Sequence, residues 1–236
     1  MNGLAASIAA VRERLAAAAR RAGREAGEIT LVAVTKTRPP EMVRAAAEAG
    51  LGDFGENRVE EAAPKIAAVG RADLRWHMIG HVQSRKARDA AQAGFALVHS
   101  VDSLRLAERL GGFSAEADRA QPVLLECNVS GEAAKSGFAA HDPQRWPELL
   151  PEFETIVTLP GVRVRGLMTM APLVADPEAA RPYFRRLREL RDFLRQHLPG
   201  GDWGELSMGM TDDFEAAVAE GATIVRIGRA IFGERT

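Results

Sequence analysis

The chain has 236 residues, one to two domains at about 150 residues each, although α/β barrels routinely use about 200–250 as a single domain. Apolar residues make up 46% and charged residues 27%, which excludes a disordered chain and suits one that buries about 70% of its unfolded surface. Lys and Arg number 31 against 32 Asp and Glu, a net charge of −1, so no overall field draws nucleic acid or an acidic membrane.

The single cysteine, Cys127, excludes an intrachain disulfide and a Cys-based zinc cluster. The longest run without a charged residue, 90–101, falls far short of the about 20 residues that span a bilayer. These features predict a soluble protein of a reducing compartment, with the cytoplasm as the default. The Ala- and Arg-rich start invites comparison with a transit peptide. It carries Glu13, Glu25 and Glu28 and little serine, against the acid-poor, serine-rich composition of such leaders. Leu4, Ile8, Val11, Leu15, Ala18 and Ala22 recur at helical spacing, so the segment reads as an amphipathic helix packed on a core.

Strand-like runs then alternate with helix-like segments. ITLVAVTK (29–36) is β-branched and almost wholly apolar, as in a strand buried on both faces of a parallel sheet. A Pro-Pro pair and EMVRAAAEAG follow, with proline at the first helical turn and Gly50 at the end. The next cycles are GDFGEN with RVEEAAPKIAAVG, LRWHMIGH with VQSRKARDAAQAG, and FALVHSV with DSLRLAERLGG. PVLLECNVS leads through SGEAAKSGF to PQRWPELLPEF, and VRVRGLMTM leads to PEAARPYFRRLRELRDFLRQHL. GELSMGM with TDDFEAAVAEG, and ATIVRIG with RAIFGE, complete the series. Eight strands alternating with helices imply a parallel sheet, and the count favours a single closed (β/α)8 TIM-type barrel with an extra N-terminal helix over a doubly wound sheet. No linker or composition break divides the chain, so one domain over 1–236 is expected.

Such barrels build their sites on the loops that follow the strands. Lys36 ends an apolar strand there. A desolvated ammonium loses pKa, which frees the neutral amine to attack a carbonyl; the alternative is a strand-end lysine whose stem snorkels to water. The last two strands end in SMGMT (207–211) and RIGRA (226–230), where barrels commonly bind phosphate, with Ser207 as a hydroxyl and Gly209 and Gly228 allowing close backbone approach. The alternative is two ordinary strand-to-helix turns, with Thr211 as an N-cap. A carbonyl-seeking lysine opposite a phosphate cup suggests pyridoxal 5′-phosphate, with Arg226 as partner of the pyridine nitrogen. A class I aldolase-type site, in which Lys36 attacks a sugar phosphate, remains open on the same residues. His77 and His81 lie four apart without a carboxylate motif, so no metal site is expected. Cys127 reads as a core residue, and the arginine run 181–195 as a solvated helix face.

The stretches LVAVTKTRP, FGENRVEEA, LRWHMIGHVQSRK, NVSGEAAKSGF, RGLMTMAP, LSMGMTDDFEAAVAEGAT and VRIGRAIFG together resemble the pyridoxal phosphate homeostasis proteins, which look like the barrel domain of alanine racemase standing alone. The resemblance implies a Schiff base at Lys36, Asn57 beside the cofactor and Met168 near its ring. It also implies Ser207 and Gly209 in the phosphate cup, Arg226 at the ring nitrogen and Gly228 on the phosphate. Two departures are Arg229, where the family often has Ser or Thr, and GHVQSRK in place of a GPLQSNK-like loop. Family members are not established enzymes. The implied role is to buffer pyridoxal phosphate or deliver it to apo-enzymes, with no nucleic-acid or membrane partner. The alternative is an amino-acid racemase or lyase using the same site, against which stands a single tyrosine, Tyr183, placed in the arginine-rich helix.

Overall fold

In the computed structural model, residues 2–234 are described. Nine strands run in one direction: β1 (Thr30–Val34), β2 (Asp53–Glu56), β3 (Arg75–Met78), β4 (Leu97–Val101), β5 (Gln121–Asn128), β6 (Phe138–Ala139), β7 (Val162–Met168), β8 (Glu205–Ser207) and β9 (Ile224–Ile227). Neighbours pair in the order β4-β3-β2-β1-β9-β8-β7-β5, and β4 also pairs with β5. That last pairing closes an eight-stranded parallel barrel, so the expected TIM-type fold is present. The two-residue β6 lies outside the ring on Cys127 and Asn128 of β5, inside what the sequence suggested was only a long connection.

The strands are short, which explains one difference from expectation. β1 stops at Val34, so Lys36 sits in the turn beyond it rather than on its last rung. Because every strand is parallel, all the strand-to-helix turns open on one face.

Two apolar clusters hold the barrel. The large one fills the shell between strands and helices, and a small one, made of Val32, Leu97, Leu124, Met168 and Ile224, fills part of the interior. The N-terminal helix (Asn2–Arg21) joins the shell through Ile8, Val11, Leu15 and Ala18, the stripe its spacing predicts. It rests on the helix Phe214–Ala219, where Arg14 pairs with Glu215 at 2.7 Å and stacks over Phe214. Among the described residues no helix is long and apolar enough to cross a membrane.

The arginine run is more than a solvated face. On the helix Arg181–His197, Arg185 and Arg188 reach the buried Glu220 carboxylate at 3.1 and 2.9 Å, and Arg181 approaches it at 3.7 Å. Cys127 is buried, as a core residue should be, and burial pushes its thiol pKa up, which keeps it unreactive.

Candidate functional site

Register brings the two ends of the chain together. Val32 of β1 stands beside Arg226 of β9, and Ala33 beside Ile227, while Val34 pairs with Gly55 of β2. The turn after β1 is thereby flanked by Gly228 on one side and Asn57 on the other. A cavity of about 450 Å³ opens there, lined by Lys36, Asn57, Arg226 and Gly228 together with Met170 and Thr211. Its size falls within the range of about 300–1,000 Å³ typical of small-ligand sites. A second recess of about 420 Å³ shares Lys36, Gly228 and Arg229 with it.

The turn bearing Lys36 is anchored from below. The Thr35 N–H donates to the Gly55 carbonyl at 2.9 Å, and the Arg38 N–H closes the turn on the Thr35 carbonyl at 3.0 Å. That carbonyl also accepts from Lys65 Nζ at 2.7 Å. Glu56 Oε1 accepts from both the Thr35 hydroxyl and Lys65 Nζ, at 2.6 and 2.7 Å. Glu56 and Lys65 are both buried, so this is a desolvated ion pair that ties β2 and the helix Val59–Val69 to the turn. Within the turn Thr37 has φ of 64°, a left-handed conformation that costs a β-branched residue about 1–2 kcal/mol. The anchoring on Thr35 holds it there.

On the other side of the cavity, Arg226 is buried and donates from Nη1 to Ser207 Oγ at 2.5 Å and from Nη2 to the Thr169 carbonyl at 3.0 Å. Burial lowers its pKa to about 10, opposed by the Glu126 and Asp213 carboxylates, so the group is a cation at neutral pH. Glu126 is pushed the other way. Burial raises its pKa to about 7, reinforced by Asp102 and opposed by Arg226 and His81. Gly228 leaves the rim without a side chain, and a Cβ there would press on the Val34 Cβ at 3.3 Å. Gly209 has φ of 92°, and a Cβ on it would meet Ala217 at 2.6 Å. Its glycine lets the turn after β8 pack on the following helix.

Of the seven residues named from the sequence, Lys36, Asn57, Arg226 and Gly228 line one cavity. Ser207, Gly209 and Met168 are buried and do not line it. The Ser207 hydroxyl bonds Arg226 and His99, so it supports the arginine from beneath. Met168 belongs to the interior apolar cluster. The sequence offered Glu56 only as one of the polar groups at the strand ends, and it gave no sign of Lys65 or of Met170, which the chain presents just past β7. Thr211 lines the cavity, where a capping role was the alternative, and its Oγ1 lies 3.5 Å from the Ala230 N–H. His77 and His81 do not act together: His77 bonds Asp53 and His99, while His81 pairs with Asp102 at 2.9 Å. Tyr183 packs against the shell core and is absent from the cavity lining.

Residues 7–236 match the family model described as alanine racemase, N-terminal domain. The pyridoxal phosphate homeostasis protein of Pseudomonas aeruginosa is 46% identical, covering 100% of this chain and 97% of its own. A solved structure of PipY from Synechococcus elongatus with pyridoxal phosphate bound is 36% identical with a TM-score of 0.82, covering 98% and 100% of the two chains. Alanine racemase from Corynebacterium glutamicum, at 19% identity and a TM-score of 0.67 over 96% of this chain and 60% of that one, shares the fold.

Proposed function

This chain belongs to the family of pyridoxal phosphate homeostasis proteins, and from that premise we propose that it is one barrel domain over 1–236 that binds pyridoxal 5′-phosphate reversibly and buffers or delivers it. One observation carries the reading. A single small-ligand cavity is lined by an amine on a pinned turn, Lys36, by a buried cation, Arg226, and by an open glycine rim, Gly228. When bound, the cofactor supplies an aldehyde, a ring nitrogen and a phosphate.

The residues present suit these three demands. Lys36 would hold the aldehyde end, because a lysine amine can condense with a carbonyl carbon and release water. Arg226 has only N–H donors to offer, so it favours an unprotonated ring nitrogen and makes the ring a weak electron sink. Gly228 leaves room for the phosphate beside Thr211 and the turn after β9. Asn57 and Met170 complete the lining, one polar and one apolar. Ser207, Gly209 and Met168 serve from beneath, fixing Arg226, the turn after β8 and the interior packing.

A weak electron sink favours storage and transfer over carbanion chemistry. Recipient apo-enzymes in the cytoplasm are the partners this role requires. The test is borohydride reduction of the protein loaded with pyridoxal phosphate, followed by peptide mass analysis. The expected result is a reduced adduct on Lys36 and its loss in Lys36→Ala. A variant that keeps the same visible absorption as the native chain would overturn the assignment.

A further inference from the structure

Inside the barrel a line of hydrogen-bonded side chains runs from one mouth to the other. At the N-terminal end, Arg75 donates from Nε and Nη2 to the two oxygens of Asp53 at 2.7 and 2.6 Å. Asp53 Oδ1 lies 2.9 Å from His77 Nε2, and His77 Nδ1 lies 2.9 Å from His99 Nε2. His99 Nδ1 lies 2.8 Å from Ser207 Oγ, which accepts from Arg226 at the cavity. Asp53, His77, His99, Ser207 and Arg226 are all buried, and His99 and Ser207 are sealed completely, so at those two groups water does not stand in for a missing partner.

The two ends of this column set its hydrogen-bonding sense. Arg226 can only donate, and an ionised Asp53 can only accept. Burial acts against the Asp53 charge, but the bonds from His77 and Arg75 hold its carboxyl below the usual range. A neutral imidazole has one donor and one acceptor. With both rings neutral, one arrangement satisfies every group. His77 and His99 each carry their proton on Nε2, Ser207 donates its hydroxyl hydrogen to His99 Nδ1, and a Ser207 lone pair faces Arg226. Burial, with the Arg226 charge nearby, holds the His99 pKa well below its usual value, in keeping with a neutral ring. Reversing the sense would turn the His99 N–H toward Ser207. The hydroxyl would then accept from both sides, and its own hydrogen would have no buried acceptor.

We propose that Asp53, His77 and His99 are positioning residues that act through Ser207 to hold the Arg226 guanidinium in the one orientation from which it meets a ligand's acceptor atom. The proposal rests on the cofactor-binding reading above, because it assigns Arg226 the ring nitrogen. The column carries a preference set at the far mouth of the barrel to the cavity, through bonds that each have a fixed direction. This makes the interior polar at a place where barrels usually stack bulky aliphatic side chains.

The test uses the full-length chain, with and without pyridoxal phosphate. Nitrogen-15 NMR of the imidazoles at neutral pH is expected to show both His77 and His99 neutral with the proton on Nε2, before any cofactor is added. Asp53→Asn replaces an obligate acceptor by a group that can also donate. It is expected to disturb the tautomers of both rings, weaken pyridoxal phosphate binding about tenfold, the scale of one charge-assisted hydrogen bond, and shift the visible absorption of the bound cofactor. Borohydride should still label Lys36. Asp53→Glu, which keeps the acceptor, should recover most of the affinity. Ser207→Ala cuts the column next to Arg226 and should weaken binding similarly while leaving the His77 tautomer in place, so it decides the matter if Asp53→Asn does not fold. Native affinity and absorption in Ser207→Ala, or a native His99 protonated on Nδ1, would overturn the proposal. A native chain that borohydride does not label at Lys36 would instead sink the cofactor reading and leave the tautomer result standing.

Discussion

Replacing Lys65 with methionine tests how the reactive turn is held. Lys65 Nζ makes two bonds of 2.7 Å, one to Glu56 Oε1 and one to the Thr35 carbonyl, and its side chain is only 8% exposed. Methionine fills a similar volume but leaves the buried Glu56 charge with only the Thr35 hydroxyl on Oε1. Glu56 Oε2 already has no hydrogen-bond partner among the described residues. Stranding one member of a buried pair costs about 3–5 kcal/mol, a large share of the about 5–15 kcal/mol by which domains are stable. The expected outcome is a marked fall in the guanidinium midpoint of Lys65→Met. The double variant Lys65→Met with Glu56→Gln removes both charges and is expected to recover at least about 2 kcal/mol of that loss, since no uncompensated charge remains. Denaturation curves of native, single and double variants measure both numbers. A double variant as unstable as the single one would refute the argument, because the loss would then come from packing rather than from a stranded carboxylate.

Two further outcomes follow from the same site. Thr37→Gly relieves a left-handed threonine with φ of 64° at the cost of a looser unfolded chain, so its stability should lie between unchanged and about 1 kcal/mol higher; a loss beyond about 1 kcal/mol in thermal unfolding would show the turn to be relaxed as it stands. Glu126 has its folded-state pKa raised by burial to about 7, above its unfolded value near 4.5. Its contribution to stability is therefore present in full below the unfolded value and is lost as pH rises through about 7. Glu126→Gln does not ionise, so its stability relative to the native chain should improve between pH 5 and pH 8, by at most about 3 kcal/mol for a shift of this size. A difference that stays constant across that range would contradict the assigned titration.

What the sequence disclosed, and what it hid, divides by the range of the interaction. The first strand run was legible because a parallel strand covered on both faces must be nearly all apolar, and 29–36 is written that way. Gly209 and Gly228 were legible as glycines in the turns after the last two strands, but the neighbours that crowd them, Ala217 and Val34, were not. Nor was the role of Ser207. Its serine looks the same whether it faces a ligand or a histidine, and the histidine that claims it lies 108 positions away. The same holds for His77, whose spacing from His81 drew attention to a metal, whereas its partners are 22 and 24 positions off in either direction. Lys36 stood out as the polar residue ending the first apolar run, but its turn depends on Lys65, a charge that the pattern of its own helix could not mark as buried.

The polar residues that seemed unrelated in the sequence share one physical requirement. A barrel of short strands has room in its interior for only a few layers, and here the apolar cluster of Val32, Leu97, Leu124, Met168 and Ile224 shares that space with a cation, Arg226, that lines the cavity. A buried guanidinium must have acceptors, and an apolar barrel offers none beyond a carbonyl such as that of Thr169. Once Ser207 supplies the second acceptor, its own hydrogen requires another, and the requirement passes from Ser207 to His99, to His77 and to Asp53. It ends at Asp53 because that carboxylate reaches Arg75, which is exposed at the opposite mouth and can dispose of its remaining donors in water. Placing a positive charge under the ligand cavity thus dictates polar residues on four other strands, and replacing any one of them by an apolar side chain leaves its neighbour, rather than itself, without a partner.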